Sequence, residues 1–208
     1  MHWIDPDSLP EIVGAFERFI LNPHGDPDGL ILADGGEVHF PPHLAADVRA
    51  AVEKDRKGAL RFRGVWPRGG SVFAAVAIET ASGRIIDNGP PKQREEDGKP
   101  IKSKQKREPM TAEGVVRRAL HGPKGETRGA LLEDERIIRF APHEASRLTR
   151  FLLPGQPIAV RGEGLTSPLG VVIEAREIGR STDDLESLGA KKPKPEKRHG
   201  PETPAPQP

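Results

Sequence analysis

The chain has no cysteine and no tyrosine among its 208 residues, and aromatic residues make up only 4% of it. Without cysteine there is no disulfide framework, no thiol nucleophile and no thiolate ligand for zinc or iron–sulfur. No stretch approaches the roughly 20 apolar residues that a bilayer-spanning helix needs. The opening stretch MHWIDPDSLPEIVG lacks the basic and apolar regions of a secretory signal. The expectation is a cytoplasmic protein without a membrane partner. An excess of charge of one sign is missing too. Thirty-two Lys and Arg face 31 Asp and Glu, a formal net charge of +1, so local distribution must decide whether a nucleic acid is a partner. The chain contains no G-x-S-x-G, no phosphate-cradling G-x-x-x-x-G-K-[ST] and no H-E-x-x-H. No enzyme activity and no cofactor are expected.

Proline and glycine, by contrast, are abundant at 22 and 23 residues, and the glycines recur in register. At an offset of one hundred residues Gly14 meets Gly114, Gly25 meets Gly125 and Gly29 meets Gly129. The phrase FPPHLA at 40–45 meets FAPHEA at 140–145. Conservative pairs fill the intervals, among them Ile31 with Leu131 and Val38 with Ile138. After small gaps GALRFRGVW faces GQPIAVRGEG. Identical glycine placement over such a length marks an internal duplication.

Within one copy, GAFERFIL at 14–21 reads as a strand and NPHGDPDG as a turn. GLILAD at 29–34 reads as a second strand, and EVHF at 37–40 as a third that alternates polar and apolar. Pro41 and Pro42 cannot donate to a ladder and stop it. From His43, Leu44, Val48, Ala51 and Val52 fall at helical spacing. ALRFRGVW and SVFAAVAIE complete the copy as two further strands. Strand, strand, strand, helix, strand, strand resembles the OB-fold, a five-stranded barrel with a helix between strands three and four. The fold class expected is therefore all-β with one short helix per repeat, as two small OB-like five-stranded barrels in tandem. The repeated phrase closes strand three with a core Phe, breaks it with Pro and opens the helix.

The expected organisation is an extension at 1–13, repeat 1 at 14–80, a basic flexible linker at 81–113, repeat 2 at 114–180 and a Pro/Lys-rich tail at 181–208. Linker and tail lack apolar periodicity, so they read as chain that buries no core. Their lysines suit either a phosphate backbone or simple solvation.

His43 and His143 recur at equivalent positions, which raises a metal site. The neighbours of His43 are His39 and Asp47, whereas those of His143 are Arg139 and Arg147, which repel a cation. Bracing of the strand-to-helix corner is favoured, and no metal is expected. Asp26 and Asp28 in HGDPDG read as turn residues, because the second copy replaces them with KGETRG.

The resemblance to OB barrels implies a ligand face on strands two and three, flanked by the strand 1–2 and 4–5 loops, and single-stranded DNA or RNA as the ligand. If Val38, Phe40, Leu60 and Phe62 point inward, alternation turns His39, Arg61 and Arg63 outward. Trp66 and Arg68 then lie at the strand 4–5 loop. The second copy offers Arg118, Lys124, Arg128, Arg139 and Arg161. The rival reading is a protein–protein adaptor, whose surface would be apolar or of mixed charge.

Overall fold

The computed structural model describes residues 5–67, 70–89 and 106–189. The first repeat runs β1 (Glu11–Leu21), β2 (Pro27–Leu32), β3 (Glu37–His39), α1 (Ala45–Lys54), β4 (Ala59–Val65), β5 (Phe73–Thr80) and β6 (Gly83–Ile86). The second runs β7 (Glu108–His121), β8 (Thr127–Leu132), β9 (Ile137–Arg139), α2 (Ala145–Leu148), β10 (Pro157–Ser167), β11 (Gly170–Gly179) and β12 (Glu186–Ser187). In the first, β1 pairs antiparallel with β2 and β4, β2 with β3, and β4 with β5. A parallel pairing of β3 with β5 closes the ring. The second repeat closes in the same way, with β9 parallel to β11. Both repeats are thus closed five-stranded barrels with one short helix each.

The repeated phrase does the same work in both copies. Phe40 and Phe140 are buried just past β3 and β9. Pro42 and Pro142 then open a short 3-10 turn at its first positions, where a missing N–H costs nothing. The turn continues as α1 in the first barrel, burying Val48 and Val52. In the second, α2 stops after one turn and passes into another 3-10 turn at Thr149–Phe151. The two histidines part company here. His43 Nε2 lies 3.0 Å from the Asp87 carboxylate, tying the corner to the chain beyond β6. The His143 side chain is 71% exposed.

Element bounds differ from the sequence expectation at both strand starts. β1 begins at Glu11, inside the expected extension, and β7 at Glu108, inside the expected linker. The added residues pair with β4 and β10, Glu11 opposite Arg63 and Met110 opposite Gly162. Many of their side chains face solvent, among them Glu11, Glu108, Thr111 and Glu113, which hides the pairing. β6 pairs with β5 within the expected linker, and β12 pairs with β11 within the expected tail. The most Lys- and Pro-rich parts of linker and tail, 90–105 and 190–208, lie outside the described residues.

The barrels pack against each other about an approximate two-fold relation. Arg118 donates to the Gly35 carbonyl (2.7 Å), and Arg18 donates to the Glu135 carbonyl (3.2 Å), the same contact with the copies exchanged. Glu17 pairs with Arg117, its own equivalent in the other copy. Such reciprocity is the mark of an isologous interface. Leu120, Leu131 and Ile137 of the second barrel join the apolar cluster of the first, while Ala130, Leu132 and Ile138 stay in their own core. Alternation therefore turns one face of β8 and β9 inward and the other onto barrel 1. This explains why residues 29–32 and 129–132 are buried on both strand faces.

Candidate nucleic-acid interface

The outward face of β3 and β9 is where an OB barrel is expected to offer its ligand surface, and in this molecule it lies between the barrels. His39 is 1% exposed and Arg139 is 4% exposed. His39 does point out of its barrel, as alternation predicts, but barrel 2 covers it. Its Nδ1 lies 3.0 Å from the Asp28 carbonyl, which can only accept, so Nδ1 carries the proton. The Arg139 guanidinium pairs with the Asp28 carboxylate. Burial pushes the Asp28 carboxyl up, with Arg139 pulling it down, and burial pushes Arg139 down.

Glu37, also buried, is the hub of this layer. It accepts from Arg118 Nη2 (2.8 Å), from the His121 amide (3.0 Å) and from His121 Nδ1 (3.1 Å). His39 Nε2 stands 3.9 Å away, too distant for a hydrogen bond. Burial by itself raises the Glu37 carboxyl, but the hydrogen bonds from the His121 ring and amide outweigh it and hold the group at about 2. Of the candidate residues, His39, Arg118 and Arg139 are thus engaged between the barrels. The continuous positive face expected from His39 through Arg63 does not form.

The remaining candidates are accessible. Arg61 and Arg63 lie on the outer face of β4, where Glu11 pairs with both, at 3.0 and 2.6 Å. Arg84 of β6 extends the row, pairing with Asp7 (2.6 Å) and Glu79 (3.2 Å). The Arg84 hydrogen bond holds the Asp7 carboxyl below its ordinary range. The row alternates in sign and is close to neutral. Trp66 follows at the end of β4. It is 52% exposed and stands edge-on to buried Phe73, with ring centroids 5.0 Å apart. Among the described residues it is the one exposed aromatic side chain. Arg68 lies outside the described residues. Lys124 is exposed in the β7–β8 turn, and Arg128 sits 3.8 Å from Glu126.

The second barrel does not reproduce this surface. Arg161 takes the place of Arg63 and pairs with Glu177 (2.7 Å). Ala159 stands where Arg61 does, and Gly164 where Trp66 does. Its β10–β11 hairpin is also long and tight, turning at Pro168 and Leu169, with Leu165 and Val172 buried against barrel 1.

Three features escaped the sequence reading: Glu37 and Asp28 as interface hubs, His121 as the partner of Glu37, and Arg56 beside Phe16. One signal was present. Two of the positions that change sign between copies, Glu17 with Arg117 and Asp28 with Arg128, face each other or their neighbours across the interface. Among the described residues no three His, Asp or Glu side chains converge as a metal site, and no helix is long and apolar enough to cross a membrane.

No family model and no curated protein matches the chain. The chain is similar to the wild-type single-stranded DNA binding protein from Thermus aquaticus, with 13% identity, 88% of this chain and 97% of that chain covered, and a TM-score of 0.27. A deletion variant of that protein gives the same identity and TM-score, with 96% of its chain covered. Overlap at that score carries no argument, and the fold rests on how the strands pair. Two closed barrels in tandem, each with the strand order and helix placement of that topology, make the chain a tandem OB-fold-like protein with two internal repeats.

Proposed function

We propose that the protein is a non-catalytic binding protein that grips single-stranded nucleic acid along the outer face of β4 in barrel 1. The observation that carries this reading is Trp66, an exposed indole at the end of a strand whose outer face presents Arg61 and Arg63. An exposed ring stacks on any base and contributes about 1–3 kcal/mol per base. The acids paired with the arginines are not a strong obstacle, since exposed ion pairs are worth only about 0–1 kcal/mol each. A phosphate can replace Glu11 at little cost. Barrel 2, lacking the tryptophan and one arginine, serves as a brace. The lysines of the linker and the tail add attraction that depends steeply on salt.

The test is fluorescence anisotropy of a labelled mixed-sequence single strand at low and near-physiological salt, with wild type, Trp66→Ala and a chain ending at residue 189. Binding that survives the truncation and weakens about 5- to 150-fold with Trp66→Ala supports the reading. Binding lost with the tail reduces it to polycation attraction, and absence of binding at low salt overturns it.

A second reading has its own observation. The row of Arg61, Arg63 and Arg84 is matched by Asp7, Glu11 and Glu79, with Val65 exposed before Trp66 and Val13 exposed opposite Arg61. A surface of mixed charge around an exposed indole suits a protein partner. That adaptor reading predicts no dependence on single strands and an interaction abolished by Trp66→Ala.

A further inference from the structure

Between the barrels lies a cleft of about 530 Å³, bounded by β1 and the α1–β4 loop on one side and by the β8–β9 and β10–β11 turns on the other. Ligand sites typically measure about 300–1,000 Å³, so the volume is adequate for one nucleotide. Half-buried Phe16 packs on Phe19 with centroids 4.7 Å apart. The Arg56 guanidinium stands 5.7 Å from the Phe16 centroid, exposed, and no carboxylate pairs with it among the described residues. The two other cations lining the cleft are spoken for, Arg18 by Glu135 and Arg136 by Asp134. Arg56 is therefore the cation there that is free to meet an anion. On the far wall Glu135 holds φ 72, a left-handed conformation that its equivalent Gly35 adopts without strain, and its carboxylate is turned to solvent.

The approximate two-fold creates a second cleft, lined in part by Arg117, Arg118, Ala119 and Leu153. It is the natural control. Val116 and Ala119 replace Phe16 and Phe19, and exposed Leu153 occupies the loop before β10 as Arg56 does before β4. Ring and free cation are found together only on the first side.

We infer that the first cleft is a subsite for one nucleotide, whose base packs on Phe16 and whose phosphate meets Arg56. A flat apolar ring joined to an anion is the chemistry that this pair recognises. Carboxylates on the far wall accept from base N–H groups. The inference rests on the single-strand reading above and extends it. β4 begins beside Arg56 and ends at Trp66, about 20 Å away at about 3.3 Å per residue. One strand laid along β4 reaches both ends. The same chemistry also comes as a free nucleotide, and the test separates the two sources.

Adenosine monophosphate and a short single strand are titrated into the full chain, with amide chemical shifts and calorimetry as readouts, for wild type, Arg56→Gln, Phe16→Leu and Trp66→Ala. Arg56 is exposed and unpaired, so its substitution leaves the fold intact, and the dispersion of the amide spectrum checks Phe16→Leu. The expected result is one site per chain, shifts centred on Phe16, Arg56 and Leu169, and about fivefold or greater weakening by Arg56→Gln and Phe16→Leu. Binding of the monophosphate without the single strand keeps the subsite and overturns the single-strand reading. Single-strand binding that is sensitive to Trp66→Ala but indifferent to Arg56→Gln and Phe16→Leu overturns the subsite alone. Binding of neither probe overturns both.

Discussion

The most consequential residues are buried charges rather than exposed ones. Arg139 and Asp28 form a pair that burial disfavours on both sides. Removing one member leaves the other uncompensated, at a cost of about 3–5 kcal/mol, whereas replacing both by apolar side chains of similar volume is often neutral. Arg139→Met is therefore expected to destabilise strongly, and Asp28→Leu with Arg139→Met to recover most of the loss, as read from urea midpoints. Glu37 carries a pH signature. Its folded value of about 2 lies below the value of about 4.3 for an unfolded chain. The stability it contributes is thus fully present above about pH 4.3 and is lost as pH falls towards 2, and its size is about 3 kcal/mol. Glu37→Gln should be less stable than wild type at neutral pH, with the gap closing as pH falls through that window. A gap independent of pH would show that the negative charge of Glu37 is immaterial.

At the scale of elements, each barrel is defined by its strand–helix corner and by a bulge, between β4 and β5 in the first and between β10 and β11 in the second. Phe40→Ala and Phe140→Ala should each cost about 3–5 kcal/mol, as large-to-small changes in a packed core do. His143→Ala should be close to neutral, because its ring is in solvent, whereas His43→Ala loses the contact to Asp87. Gly64 and Gly162 sit where the ladder skips a residue, and an added Cβ would come within 2.0 Å of the Ala74 and Glu174 carbonyl oxygens. Gly64→Ala therefore forces backbone to move, and a loss of about 3 kcal/mol or more in thermal or urea unfolding is expected. Much at this scale was legible. The paired glycines, the turn residues and the Phe–Pro–His phrase each have a local physical role, and local roles leave local patterns. The starts of β1 and β7 were not legible, because their partners across the sheet, Arg63 and Gly162, are distant in sequence.

At the scale of the molecule, duplication has produced a dimer in a single chain, with sides that are no longer equivalent. At its centre Glu17 faces Arg117, so pairing of like barrels would bring Glu17 against Glu17 or Arg117 against Arg117. Charge thus favours the unlike pair, the device by which specificity is set against competing partners. Leu131 projects from barrel 2 into the apolar cluster of barrel 1. A carboxylate there cannot be solvated while the barrels touch. Leu131→Asp is expected to part the barrels, raising the radius of gyration in X-ray scattering while the β-sheet circular dichroism persists. An unchanged radius would show that the interface tolerates the charge and is not held by apolar contact.

The sequence by itself determined the duplication, the barrel topology, the corner and the inward or outward sense of residues on strands three and four, such as Phe62 and Arg61. These follow from pleat, turn and helix periodicities, which are properties of neighbouring residues. It also placed His39 on the outside of its barrel. Only the tertiary structure decided that this outside is covered, because alternation says which face a side chain occupies and not what is packed against that face. One clue was written in the sequence: residues 30–32 and 130–132 are apolar at every position, as strands covered on both faces are. The identity of the cover had to wait for the fold. Contact between two barrels depends on surfaces brought together from across the chain, and that meeting leaves the candidate interface on β4 beside Trp66 rather than on β3.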